Sequence, residues 1–131
     1  SQQRILGRVI GEGTAASPGL VAGRLVFNSR DAKPGTILLR DKTSIEDLEG
    51  MLKAEAFITR QGGKTSHAAV VARELGKPCV VSVTFTDAPE GIVTVDGGMG
   101  LIFAGDVTAM PTDEEPDKYF ETLSLWREQC R

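Results

Sequence analysis

Apolar positions along this chain come in short blocks separated by glycine, proline and small polar residues, and the texture of each block predicts its element. Gly11-Glu12-Gly13-Thr14-Ala15-Ala16-Ser17-Pro18-Gly19 is rich in turn formers and reads as a leading turn segment, with a strand alternating from Leu20 through Phe27. Asn28 to Gly35 reads as a loop. Thr36-Ile37-Leu38-Leu39-Arg40 and Ala56-Phe57-Ile58-Thr59 are short, bounded apolar runs, the pattern of buried strands. Between them Thr43 or Ser44 is placed to cap a short helix that has Glu46 and Asp47 in its first turn and ends near Lys53.

Arg60-Gln61-Gly62-Gly63 then turns the chain, and Ser66 to Leu75 carries good helix formers, with Thr65 as the expected N-cap and Gly76 where a helix end takes a left-handed residue. Pro78 stops any continuation, and Cys79-Val80-Val81-Ser82-Val83 is the next strand. Ile92 to Asp96 and Gly100 to Phe103, joined through Gly97-Gly98, predict a hairpin. Crossover helices together with hairpins imply an α/β layered domain with a mixed sheet. The expected division is an N-terminal linker over 1–10, one folded domain over 11–106, and an acidic linker followed by an amphipathic helix over 107–131. The last part rests on Met110 to Pro116 and on Tyr119, Leu123, Trp126 and Cys130 at helical spacing. That apolar stripe suits packing on the domain or docking on a neighbour equally well.

Composition narrows the picture. A length of 131 residues suits one core, and 40% hydrophobic with 25% charged residues is ordinary for a globular chain. Fifteen glycines stand against five phenylalanines, one tyrosine and one tryptophan, which predicts tight turns around a core of small aliphatic residues. A net charge of −3, with no basic stripe, argues against nucleic acid as a partner. No apolar run approaches the ~20 residues that span a bilayer, and Ser1-Gln2-Gln3-Arg4 does not open a signal peptide. The expectation is a soluble, cytoplasmic chain without a membrane partner. Its initial Ser suggests a processed chain or a piece of something longer. Cys79 in an apolar run and Cys130 near the end predict no disulfide, and one histidine with two distant cysteines assembles no metal site.

The chemistry gathers at Gly62-Gly63-Lys64-Thr65-Ser66-His67, where a strand ends, two glycines turn the chain and a helix opens with the only histidine in its first turn. Free N–H groups and the helix dipole favour an anion there. A neutral imidazole has the lone pair to attack phosphorus, and the phosphoramidate formed stays reactive enough to pass the group on. Gly62 and Gly63 leave room for a large charged partner, Thr65 and Ser66 offer hydroxyls, and Lys64 offers a positive charge. Arg73, on a different face of the same helix, reads as a packing or interface residue. On the residues alone, a surface histidine after a common turn, or a loop that nests phosphate without covalent chemistry, fits as well.

The run Gly62-Gly63-Lys64-Thr65-Ser66-His67-Ala68-Ala69-Val70-Val71-Ala72-Arg73 resembles the phosphohistidine signature of the phosphoenolpyruvate-utilising enzymes, which include pyruvate phosphate dikinase, phosphoenolpyruvate synthase and enzyme I of the sugar phosphotransferase system. The resemblance extends to Ala16-Ser17-Pro18-Gly19 and to Gly76-Lys77-Pro78-Cys79-Val80-Val81. Thr43 to Met51, Thr65-Ser66-His67 and the tail from Tyr119 are similar to the dikinase branch. Lys64, where dikinases usually carry Met, and Ala56-Phe57, where they often carry Gly-Ile, depart from it.

The resemblance implies a swivelling β/β/α phosphohistidine domain with a C-terminal linker helix. His67 would be phosphorylated from an ATP-binding domain and would pass the group to pyruvate on a separate barrel domain. It further implies a phosphotransferase of which this domain alone does not turn over, Mg²⁺ and ATP on the partner rather than any cofactor here, and Thr65 as a regulatory phosphorylation site. The alternatives are the same domain of a synthase, an enzyme I or an antibiotic-phosphorylating relative, and a stand-alone binding or regulatory module.

Overall fold

In a computed structural model of the protein, which describes residues 7–109, the apolar blocks become strands β1 (Val9–Ser17), β2 (Leu20–Val26), β3 (Thr36–Arg40), β4 (Ala56–Thr59), β5 (Cys79–Phe85), β6 (Ile92–Asp96) and β7 (Leu101–Ala104). Two helices, α1 (Leu48–Lys53) and α2 (His67–Leu75), form the connections from β3 to β4 and from β4 to β5. The strands close in the order β1-β5-β4-β3-β2-β6-β7, with β7 returning to β1. Pairing is parallel from β2 through β5 and antiparallel everywhere else, so the predicted mixed sheet is present but is a closed barrel rather than an open layer. Closure leaves no long unpaired edge. It also makes the first and last strands neighbours: Gly7 N–H donates to Ala104 C=O at 2.9 Å and Ala104 N–H to Arg8 C=O at 2.8 Å.

Two hydrophobic cores follow from the period-two alternation of the strands. Ile37, Leu39, Ala56, Ile58, Val80, Val93, Val95 and Ile102 point into the barrel. Leu38, Phe57, Cys79 and Val81, the intervening positions of β3 to β5, point outward and are buried under Met51 and Ala54 from the α1 region and Ala68, Ala69 and Ala72 of α2. Strands buried on both faces read as continuous apolar runs, which is why these three were legible. Alanines line the inner stripe of α2 because only a short side chain lets the helix lie close to the sheet. Lys77 Nζ satisfies the carbonyls of Met51, Leu52 and Ala54 at the end of α1.

The leading segment corrects the sequence reading. Residues 11–17 are strand, and Val9 and Ile10, assigned to a linker, begin it. The glycines there are required by close approach rather than by turning. A Cβ at Gly13 would lie 2.5 Å from the Val81 carbonyl oxygen, and one at Gly11 would lie 2.8 Å from the Phe85 ring. Opposite Gly13 the register slips, and β5 places both Ser82 and Val83 against it. Ser82 absorbs the extra residue at φ 57, and the resulting phase change lets Val81 face the helices while Val83 faces the barrel interior.

β5 runs two residues beyond its predicted end, and the β6–β7 hairpin forms as expected. Val107–Ala109 is a short 3-10 turn held by Thr94, whose hydroxyl accepts from Val107 N–H and donates to Gly105 C=O. The predicted tail helix and the acidic stretch before it lie outside the described residues. No described helix is long and apolar enough to cross a membrane.

Candidate functional site

β4 ends at Thr59, whose hydroxyl donates to the Gln61 carbonyl at 2.7 Å and starts the loop. Gly62 takes φ +104, a conformation that disfavours any side chain, and Ser66 N–H donates to Gly63 C=O to close a turn over residues 63–66. Ser66, with extended backbone, is therefore the N-cap of α2, and its Oγ accepts from Ala69 N–H at 3.4 Å. This corrects Thr65, which lies inside the preceding turn and cannot also occupy the capping position. Gly76 ends the helix at φ 70, as expected.

His67 is the first residue of α2 and is half-buried. Its Nδ1 lies 2.9 Å from Thr43 Oγ1 on the segment between β3 and α1. The other ring nitrogen, Nε2, is left for chemistry. If Nδ1 carries the proton and donates it to the hydroxyl, Nε2 holds the lone pair. The N–H groups of His67 and Ala68 precede the first intrahelical bond, Val70 N–H to Ser66 C=O, and stand at the positive end of the helix. A cleft of about 240 Å³ beside them is lined by Lys42, Thr43, Thr59, Gln61, Gly62, Ser66, His67 and Ala68.

Of the loop residues singled out on sequence, Gly62 and Ser66 line this cleft, whereas Gly63, Lys64 and Thr65 are exposed outside it. The lysine at the cleft is Lys42. Sequence reading missed Lys42 and took Thr43 only for a helix cap; the signal available was a hydroxyl and a cation at the end of a buried strand neighbouring β4.

A buried carboxylate anchors the segment that presents Thr43. Asp47, 6% exposed, accepts from Ser44 N–H at 2.9 Å and from the Ser29 hydroxyl, and lies 3.6 Å from Arg40 Nε. Burial by itself would raise its pKa. The hydrogen bonds from Ser29 and Ser44, with the charges of Arg40 and His67, outweigh burial and hold the carboxyl below its ordinary range. Among the described residues no group of three or more His, Cys, Asp or Glu is arranged to hold a metal.

Arg73, read from sequence as a packing or interface residue, packs against both the loop and β1. It leaves α2 and turns back over it, one guanidinium nitrogen donating to the Lys64 carbonyl at 2.7 Å and the other to the Ala16 carbonyl at 3.0 Å.

Pyruvate, phosphate dikinase of Entamoeba histolytica is 37% identical over 92% of this chain and 16% of that protein. The same enzyme of Rhizobium meliloti is 35% identical over 94% of this chain and 16% of its own length, and that of Clostridium symbiosum 37% over 95% and 16%. The chain thus spans about a sixth of the length of these relatives. Among solved structures, an NMR structure of an Enzyme I protein overlaps 76% of this chain and 40% of its own at 24% identity and a TM-score of 0.47. The family model for the mobile domain of PEP-utilising enzymes matches residues 32–100, from the loop before β3 through the turn before β7 and including the whole His67 site. The chain belongs to the family of PEP-utilising enzyme mobile domains.

Proposed function

We propose that this chain is the phosphoryl carrier of a pyruvate phosphate dikinase, with His67 Nε2 as the atom that bears the group. The observation that carries the reading is the pairing of His67 Nδ1 with Thr43 at 2.9 Å, which leaves Nε2 as the free ring nitrogen of the residue that opens α2. In the first half-reaction the Nε2 lone pair forms a bond to phosphorus while the bond from phosphorus to the donor's leaving oxygen breaks, and that electron pair departs with the oxygen. In the second, the enolate oxygen of pyruvate bonds to phosphorus as the N–P bond breaks, giving phosphoenolpyruvate and returning the imidazole. Bonding of Nε2 to phosphorus leaves an imidazolium whose Nδ1–H still donates to Thr43; when that proton passes to solvent the hydroxyl turns to donate to the bare Nδ1, and a proton from solvent returns to Nδ1 as the group departs, so Thr43 serves both states.

The whole enzyme's activity requires an ATP-binding domain with its Mg²⁺ and a barrel domain with pyruvate, and a rigid swing of this barrel between them. This domain needs no cofactor of its own for that role, and a cytoplasmic setting suits it. A regulatory phosphate on Thr65, two residues before His67, would set negative charge beside the nucleophile and repel the incoming group.

The test is to incubate the chain with the donor domain of a dikinase, Mg-ATP and inorganic phosphate and to score acid-labile, base-stable phosphate on the protein. Label is expected on the wild type and absent from His67→Asn; label persisting in His67→Asn would falsify the assignment.

A further inference from the structure

We propose that Arg73 is a positioning residue for the phosphoryl loop, a clamp that fixes residues 62–66 against the barrel so that His67 and the loop amides are aligned before a phosphoryl group arrives; this deepens the carrier reading and rests on it. Arg73 lies six residues after His67, which places its Cα ~9 Å further along the helix and on another face. Its side chain nevertheless returns to the loop and holds the Lys64 carbonyl at 2.7 Å and the Ala16 carbonyl at 3.0 Å. The first belongs to the exposed turn before His67, and the second to the end of β1 in the barrel wall.

One planar fork therefore ties the exposed loop to the rigid wall. Only arginine can do this with fixed geometry, because a lysine ammonium has no fork. Arg73 forms no ion pair with a carboxylate among the described residues. Its hydrogen bonds go to these two carbonyls.

The consequence for the loop follows from peptide geometry. The unit between Lys64 and Thr65 is planar and trans, so a carbonyl drawn towards Arg73 sends the Thr65 N–H in the opposite direction, away from the guanidinium. The turn bond from Ser66 to Gly63 closes around that peptide without bonding to it, and the Thr65 N–H has no internal acceptor, so Arg73 is the one group that holds the peptide's own carbonyl among the described residues. Without the clamp, four exposed residues beginning with two glycines would sample many conformations, and their ordering would have to accompany each phosphoryl transfer.

The experiment uses the 131-residue chain with Arg73→Met and Arg73→Lys. Backbone order of residues 62–66 is measured by ¹⁵N relaxation, and transfer to His67 is measured with phosphoramidate, a small donor that needs no partner domain. Arg73→Met is expected to loosen residues 62–66 selectively and to slow phosphorylation roughly tenfold to a hundredfold. Arg73→Lys, which keeps the charge and the stem, is expected to restore either property only in part; it also serves as the test variant if Arg73→Met fails to fold. Unchanged loop order in a folded Arg73→Met overturns the clamp. Full restoration of the rate by lysine overturns it too, because charge alone would then suffice. A wild type that takes no phosphoryl group, while Arg73→Met still loosens the loop, counts against the carrier reading and supports the clamp.

Discussion

The two halves of the barrel are built on different principles. β3, β4 and β5 are parallel, joined through α1 and α2, and buried on both faces. β6 and β7 form an antiparallel hairpin that the described residues cover on its outer side with the turn at Val107–Ala109 and with no α-helix. Parallel strands must be connected by long crossovers, and each crossover delivers a loop and a helix start to one end of the sheet. A tight hairpin delivers neither. His67 stands at such a helix start, and Thr43, Lys42 and Asp47 come from the neighbouring crossover. The site therefore belongs to the parallel half, while the antiparallel half closes the barrel behind it.

If that division is right, the parallel half is the more sensitive one. Phe57, fully buried between sheet and helices, is its keystone, and Phe57→Ala should cost about 3–5 kcal/mol in denaturant unfolding. A loss below 1 kcal/mol would mean that the helices are not packed on this wall as described. Ile102→Val, buried in the antiparallel half, should cost about 0.5–1.5 kcal/mol.

Removing the hydroxyl that faces His67 should have a similar effect on stability and a specific effect on the ring. Thr43→Val is expected to cost about 1 kcal/mol and to shift the neutral imidazole towards the Nε2–H tautomer, read from its ¹⁵N ring shifts. A wild-type ring already in that tautomer would contradict the assignment of Nε2 as the free nucleophile. Acid should act on the same half through Asp47. Its carboxyl is held below the ordinary value of 3.8 in the folded state, so its stabilisation is complete above the unfolded pKa and is lost as pH falls through the folded one. The stability advantage of wild type over Asp47→Asn should accordingly be full at pH 7 and shrink below about pH 4; an advantage that grew on acidification would reverse the sign of the argument. The smallest effect belongs to the outer face of β2, where Leu20 is 54% exposed and Leu20→Thr should stay within about 0.5 kcal/mol.

The same contrast governs what the sequence made legible. The parallel half could be read element by element, because Thr36 to Arg40, Ala56 to Thr59 and Cys79 onward carry unbroken apolar runs and Gly76 marks a helix end. His67 was legible because its position depends on neighbours within five residues. β1 was not legible. Its glycines are spacing devices against Val81 and Phe85, some 70 residues away, and in isolation they look like turn formers. Barrel closure was hidden for the same reason, since β1 pairs with β5 and β7 only through contacts distant in sequence. Thr43 and Arg73 take their roles from partners 24 and 57 residues away, and no local pattern announces such partners.

Because β1 and β7 are hydrogen-bonded partners, the first and last strands of the barrel are gripped together at one seam. A body gripped at a single seam behaves as a rigid passenger. The described ends are tied down by the bonds joining Gly7 and Arg8 to Ala104 and Val107 to Thr94, none of which involves the loop that carries His67. In the proposed carrier role, travel would then be a property of the chain on either side of the barrel, and the accuracy with which Nε2 is presented a property of the barrel alone.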